Sequence, residues 1–278
     1  MTNPALQEII ALLGRPAAGH PAQYLFERAL EAAGLDWRFL TLDVADEAVG
    51  DALAGVTALG FRGCLLSGPL RTSALPLVAE ATPAASFAGA VSLVERQPAG
   101  LVGHMTEGRG VVEALRGHTD PADAHVLLLG AGPAARAVAL ELALAKTAGI
   151  IVADRSPERA AALVTSLEGL DACPAAALEW RPTIDIPTEV NIIVSALPAA
   201  APRPPLEFTG LRSDMVLADL PLVAQPSPMI ALATGVGACV VDGLEIHCAK
   251  TAIDFHTWTG IEPDVEMLRE ALDEFFAA

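Results

Sequence analysis

Between Val126 and Arg136 the chain reads VLLLGAGPAAR: four apolar residues, then Gly130-Ala131-Gly132, then Pro133-Ala134-Ala135 opening an apolar helical pattern. A short apolar run closed by glycine reads as a buried strand, and the small residues after it as the first turn of a helix. In such a GxGxxA turn the first glycine permits the sharp reversal and the second lets backbone approach an anion. Ala135 stands where a small residue is needed for close helix packing. The helix amino terminus then faces a pyrophosphate. The next strand, IIVADRS, places Asp154 about 20 residues past the turn, where an acidic side chain accepts from the ribose 2′-hydroxyl of NAD. Arg155, Ser156 and Arg159 follow, and arginine at this point accommodates the 2′-phosphate of NADP. Both sets are present, so the expected cofactor is NADP or NAD with weak discrimination. Ser195, at the end of the strand NIIVSALP, is assigned to the same cofactor site. The plain structural alternative has the arginines solvated and Asp154 capping the helix that begins near Pro157.

Working outward, QYLFERALEAAGL predicts a helix stopped at Gly34, and WRFLTLDV a strand. DEAVGDALAGVTALG predicts a helix, FRGCLLSG a buried strand and RTSALPLVAEAT a further helix. AGAVSLVERQPAGLVGHMTEG reads as a hairpin turning at QPAG, before the helix RGVVEALRG and the polar linker HTDPADA. Beyond the glycine turn come the helices AARAVALELALAKTAG and PERAAALVTSLEG and the strands NIIVSALP, MVLADLPL and CVVDGLEI. Such β–α alternation predicts mostly parallel sheets. A length of 278 residues suits two domains around a cleft. The one biased segment is the Pro/Ala-rich loop PAAAPRPP.

Hydrophobic residues make up 53% of the chain, yet Pro, Gly or charge interrupts every apolar run short of a membrane span. The opening MTNPALQEIIALLGR lacks a basic start with a small-residue cleavage site, so the cytoplasm is the expected location. Acidic residues outnumber basic ones 34 to 17, a net charge of −17 that repels phosphate backbones and anionic membranes. A small molecule, not nucleic acid or membrane, is the expected partner. Cys64, Cys173, Cys239 and Cys248 fall at irregular spacing without a CxxC, which fits reduced thiols and no metal site. Lysine occurs only at Lys146 and Lys250. Lys146 comes late in the helix after the glycine turn, where a solvated positive charge favours the helix dipole.

EAAGL, ALGFRG, AGAV, LVGHMTEG, GAGPAARA, DRSPER, VVDGLEI and WTG stand in the order and spacing of one family. On these motifs the chain resembles the shikimate dehydrogenase family from about Gly14 to Leu272. The resemblance implies an N-terminal α/β substrate domain and a Rossmann-type, doubly wound parallel-sheet nucleotide-binding domain, with a C-terminal helical return. The expected boundaries are residues 1–106 with 243–278 for the substrate domain and 107–242 for the NAD(P)-binding domain. A homodimer is the assembly to test.

The family's chemistry rests on a Lys and an Asp in motifs resembling NVTxPxK and NTDG. Here LLSGPLR puts Arg71 at the lysine position and MTEG puts Glu107 at the aspartate position. Oxidising a secondary alcohol needs a group that exchanges the hydroxyl proton. A guanidinium is effectively always protonated, so Arg71 is read as a clamp for an anionic or carbonyl oxygen. Glu107 keeps a carboxylate with longer reach, either as base or as an anchor for Arg71. The plain alternative is a structural ion pair.

Other ligand positions depart as well. The family's two carboxylate-binding serines match His20 and Ala22, its substrate-contacting Asn matches Ser92, and its DLVY-like tyrosine matches Leu222. The first Asn of the lysine motif is Leu65, while its Thr survives chemically as Ser67. The Gln of the returning helix is Lys250. Scaffold glycines and prolines are kept while ligand-facing positions are rewritten, which points to a new substrate. His20, Ser67, Ser92 and Lys250 are the expected substrate contacts, with Arg71, Lys250 and His20 as sources of positive charge. Arg71, Glu107 and Lys250 are the catalytic candidates.

The reading that follows is an NAD(P)-dependent oxidoreductase acting on a hydroxylated, carboxylate-bearing small molecule that need not be shikimate. A catalytically silent NAD(P)-binding sensor or partner protein is the competing class. True shikimate turnover, with Arg71 and Glu107 as substitutes for the dyad, is the third.

Overall fold

Ile9–Gly14 (β1) is a strand that the periodicity does not flag, because it is apolar throughout and buried on both faces. The computed structural model describes residues 7–199 and 206–277, so residues 200–205 of the Pro/Ala-rich loop lie outside the described residues. From β1 the chain continues through α1 (Ala22–Ala32), β2 (Arg38–Asp43), α2 (Val49–Ala58), β3 (Gly63–Leu66), α3 (Leu70–Ala74), β4 (Glu80–Ala81), α4 (Pro83–Ala88), β5 (Leu93–Gln97) and β6 (Gly100–His104). These strands form one sheet in the order β2-β1-β3-β5-β6-β4. It is parallel through β2, β1 and β3, while β5 runs antiparallel to both β3 and β6. The β5–β6 hairpin turns at QPAG, with Gln97 opposite Gly100.

RTSALPLVAEAT departs from the helix expected of it. Only Leu70–Ala74 is α-helical, Pro76 lies in a short 3-10 turn, and Val78 is extended. Proline lacks the N–H that a continuing helix requires. The chain is thereby released to pair Glu80 with Val102 along β6.

The second unit runs through α5 (Glu107–Arg116), β7 (His125–Leu129), α6 (Pro133–Leu144), β8 (Gly149–Ala153), α7 (Pro157–Glu168), β9 (Ala175–Ala177), β10 (Thr183–Asp185), β11 (Val190–Ser195), β12 (Glu207–Thr209), β13 (Val216–Asp219), α8 (Pro228–Gly235) and β14 (Cys239–Val241). Six of these strands form a wholly parallel sheet in the order β14-β13-β11-β7-β8-β9, while β10 and β12 pair by themselves. This is the doubly wound arrangement, whose strand order reverses at β7 and β11, and ligands bind at the carboxyl ends of strands at such a point. CVVDGLEI is extended only over Cys239–Val241. Asp242 accepts the Glu245 N–H at 2.8 Å, capping the helix α9 (Gly243–Thr259) that takes up the rest of the segment.

Contacts divide the chain into residues 1–106 with 250–278, and residues 107–249. The expected boundary at 242/243 lies at the amino terminus of α9, whereas the division falls inside that helix, after Ala249. In the first unit the distal half of α9 is anchored by Phe255 and Trp258. Phe26 stacks on Phe39 with centroids 4.9 Å apart, and Phe255 and Trp258 lie 6.2 and 5.5 Å from Phe26. Trp258 Nε1 donates to Val94 O on β5. The last helix, α10 (Val265–Ala277), packs on α1, where Tyr24 donates to Glu274.

Candidate active site

The glycine turn is built as its residues dictate. β7 ends at Leu129, and Gly130 adopts φ +110°, which only glycine takes readily. A Cβ at Gly130 would come within 3.2 Å of Ala196 O, the residue after β11. Gly132 is the N-cap of α6, and without a side chain it leaves the first helical N–H groups uncapped from that position. A Cβ built on Gly132 meets nothing within 4 Å, so the turn opens onto space rather than onto protein. That space is a cavity of about 210 Å³ lined by Gly130, Gly132, Asp154, Arg155, Arg159 and Ala196. Pro133 begins α6, and Ala135, 1% exposed, provides the close helix packing.

Asp154 faces inward. Its Oδ2 accepts the Ala131 N–H at 2.8 Å, and its Oδ1 accepts the Ser156 N–H and an Arg159 Nη2, both at 2.8 Å. The helix α7 is capped not by Asp154 but by Ser156, whose Oγ accepts the Arg159 N–H. Asp154 therefore joins the glycine turn to the start of α7, and its charge is met by Arg159, whose side chain is 60% exposed. Arg155 lies with its guanidinium 5.9 Å from the Trp180 ring centroid. Ser195, 1% exposed, lines a second cavity of about 370 Å³ that shares Leu197 and Pro198 with the first. Asp219 and Ser227 also line it, 2.5 Å apart, and burial pushes the Asp219 carboxyl above the usual carboxylate range. An open cradle at a helix amino terminus, with two arginines beside it, fits the phosphates of a dinucleotide.

The second group of candidates lies in the first unit, with Ser67 and Ser92 at the ends of the interior strands β3 and β5. Ser67 follows β3 and packs against Gly14 at the end of β1. Arg71 lies on α3, its Nε donating to Leu66 O at 2.8 Å and its carbonyl accepting the Val91 N–H. His20 precedes α1 and accepts the Ala22 N–H on Nδ1 at 3.1 Å, which leaves Nε2 to carry the proton of the neutral ring. Burial, then the charges of Lys250 and Arg71, lower its pKa from 6.5 to about 4. His20 is thus neutral near pH 7. The positive charge expected of it is absent, because burial, and then the charges of Lys250 and Arg71, disfavour the imidazolium.

Lys250 is 8% exposed, and its Nζ donates to Asp254 Oδ2 at 2.5 Å, one turn further along α9. Asp254, 1% exposed, accepts on Oδ1 from Thr106 Oγ1 at 2.6 Å. Ser92, also 1% exposed, accepts the Thr106 N–H at 3.1 Å and lies 3.3 Å from Thr106 Oγ1. Its hydroxyl is turned to Thr106 rather than open to a ligand. Since the single Thr106 hydroxyl proton goes to Asp254, the Ser92 hydroxyl points its own toward Thr106. Glu107, 7% exposed, opens α5 in the second unit. Asp254 and Thr106 were missed by the sequence reading. The signal was an isolated Lys with an Asp four residues later on a predicted helix, the spacing at which side chains meet.

Among the described residues no group of three His, Cys, Asp or Glu could hold a metal ion, and no helix is long and apolar enough to cross a membrane.

Comparison with known proteins bears on both groups. A model of the shikimate dehydrogenase substrate-binding domain matches residues 12–94, and a shikimate/quinate 5-dehydrogenase model matches residues 113–204. The NADP(+) shikimate dehydrogenase of Moorella thermoacetica is 31% identical over 97% of this chain and 94% of its own. A ligand-free 5-ketofructose reductase from Gluconobacter superposes with a TM-score of 0.90 at 28% identity, over 97% of this chain and 99% of its own. The Thermus thermophilus shikimate 5-dehydrogenase in complex with NADP(H) and shikimate gives 0.80 at 29% identity, over 97% and 100%. The chain belongs to the shikimate dehydrogenase family.

Proposed function

We propose that this chain transfers a hydride between NADP or NAD and a small hydroxylated, carboxylate-bearing molecule other than shikimate. The observation that carries the reading is the replacement of the family's Lys and Asp by Arg71 and Glu107, with Lys250 buried and its charge, like that of Arg71, acting on His20. The open Gly130–Ala135 cradle, Arg155 and Arg159 support the cofactor half. When bound, the nicotinamide supplies or accepts the hydride. Arg71 holds an anionic or carbonyl oxygen as a fixed cation, and Lys250 or Glu107 exchanges the hydroxyl proton, a role arginine cannot fill. His20, neutral at this position, replaces the hydroxyl the family has there and removes a carboxylate donor of the family's pocket. The 5-ketofructose reductase that superposes on this chain is named for a substrate other than shikimate, which supports this reading.

A spectrophotometric screen of hydroxy acids, polyols and their ketones with NADP(H) and NAD(H), shikimate included, tests this. Turnover of at least one compound other than shikimate, faster than that of shikimate, is expected. A protein that binds cofactor and turns over none would be the catalytically silent alternative.

A further inference from the structure

We infer that Asp254 is a positioning residue that holds Lys250 as the acid/base of this enzyme, so that a Lys–carboxylate pair lost at positions 71 and 107 is re-formed within one helix. The inference rests on the dehydrogenase reading above and adds to it a residue that lies outside the motifs matching the family.

Three observations carry it. First, Lys250 and Asp254 sit at i and i+4 on α9, nearly excluded from water, with Nζ and Oδ2 at hydrogen-bonding distance. Removing two charges from water is costly unless geometry and further hydrogen bonds compensate, and a helix docked on Phe26 through Phe255 and Trp258 gains nothing in packing from such a pair. Second, the pair is backed by a directed chain in which Ser92 faces Thr106 and Thr106 donates to Asp254. Asp254 thus accepts from Thr106 on Oδ1 and from Lys250 on Oδ2. Third, the chain lies where function requires it. Ser92 directly precedes β5 and Thr106 directly follows β6, so the pair is tied to the β5–β6 hairpin that carries the Ser92 candidate, and the charges of Lys250 and Arg71 both act on His20.

The step balances as follows in the direction of reduction. The carbonyl carbon receives a hydride from the reduced nicotinamide, which becomes oxidised, while the carbonyl oxygen takes a proton from the Lys250 ammonium and becomes a hydroxyl. The amine left behind recovers its proton from solvent, and Asp254 keeps it aligned through the Nζ–Oδ2 contact. Oxidation runs the same path backwards.

The experiment has two arms. Lysine-selective ¹⁵N NMR sees only two side chains, Lys146 and Lys250, assigned with Lys146→Arg. A slowly exchanging Lys250 ammonium signal is expected in the native protein and its loss in Asp254→Asn. In the second arm, turnover is measured against pH on whichever compound the screen identifies. Lys250→Met should lower kcat by about a hundredfold or more. Asp254→Asn should lower kcat by roughly tenfold to a hundredfold, with KM changed by less than about threefold, should move the pH profile, and should be partly rescued by Asp254→Glu. If Asp254→Asn does not fold, Thr106→Val, which removes the Thr106 hydrogen bond to the carboxylate, should lower kcat about fivefold with the same shift. Native kcat and an unmoved profile in Asp254→Asn, or a Lys250 signal that persists in it, would overturn the inference while leaving the dehydrogenase reading intact. No turnover by the native protein on any compound overturns both.

Discussion

The carboxylate of Asp154 accepts the backbone N–H of Ala131 at 2.8 Å. The acidic residue after β8 therefore braces the glycine turn itself, and its other oxygen ties in Ser156 and Arg159. A carboxylate so occupied is poorly placed to discriminate a ribose hydroxyl from a 2′-phosphate. Removing it should loosen the whole cradle. Asp154→Ala is expected to weaken NAD and NADP binding together by roughly tenfold or more, since hydrogen bonds to a charged group contribute about 1.5–3 kcal/mol. Calorimetric titration with both cofactors measures this, and a loss confined to one of them would assign Asp154 to the ribose. In the native protein the two should differ by less than about a hundredfold, or 2.7 kcal/mol.

Gly132→Val tests the cradle from the open side. The backbone at Gly132 has φ −76°, which valine adopts without strain, and the added side chain meets no protein atom. The variant should fold normally and lose cofactor binding, because its branched side chain occupies the space for the pyrophosphate. Unchanged affinity would move the dinucleotide elsewhere.

Arg71→Lys returns to position 71 an amine able to exchange a proton. Turnover of shikimate by this variant should match or exceed that of the native chain in kcat/KM. A fall of more than about tenfold would make the planar guanidinium itself indispensable.

His20 ties stability to pH with a definite sign. Its folded pKa is depressed to about 4 from 6.5, so between those values the unfolded chain binds a proton that the folded chain refuses. Its contribution is full above pH 6.5 and falls away as the pH drops toward 4, by up to about 3 kcal/mol. Denaturant melts of the native protein and His20→Gln from pH 7 to 4 should converge as the pH falls. Parallel curves would mean that His20 is not held neutral by its surroundings.

Much of the fold was legible because its signals are local. VLLLGAGPAAR carries a strand, a turn and a helix start within eleven residues, and QPAG marks a hairpin between two alternating runs. Where reading failed, a single residue or a distant partner decided. Pro76 ended a helix that the apolar spacing favoured, and Asp242 capped a helix where the run CVV suggested a longer strand. β1 was hidden by being apolar on both faces. The site was harder still, because Thr106 and Asp254 meet across 148 residues of sequence, and only the i, i+4 spacing of Lys250 and Asp254 gave a local sign. His20 could be found by alignment, but its lost charge could not, since that depends on burial in the fold and then on the charges of Lys250 and Arg71.

The most direct test of the account is the initial rate of nicotinamide reduction or oxidation at 340 nm, with NADP(H) and NAD(H), over shikimate and a panel of hydroxy acids, polyols and their ketones. The account predicts turnover of at least one panel compound with kcat/KM at least about tenfold above that for shikimate. Shikimate as the best substrate, or no turnover of any compound by a chain that binds the cofactor, would contradict it.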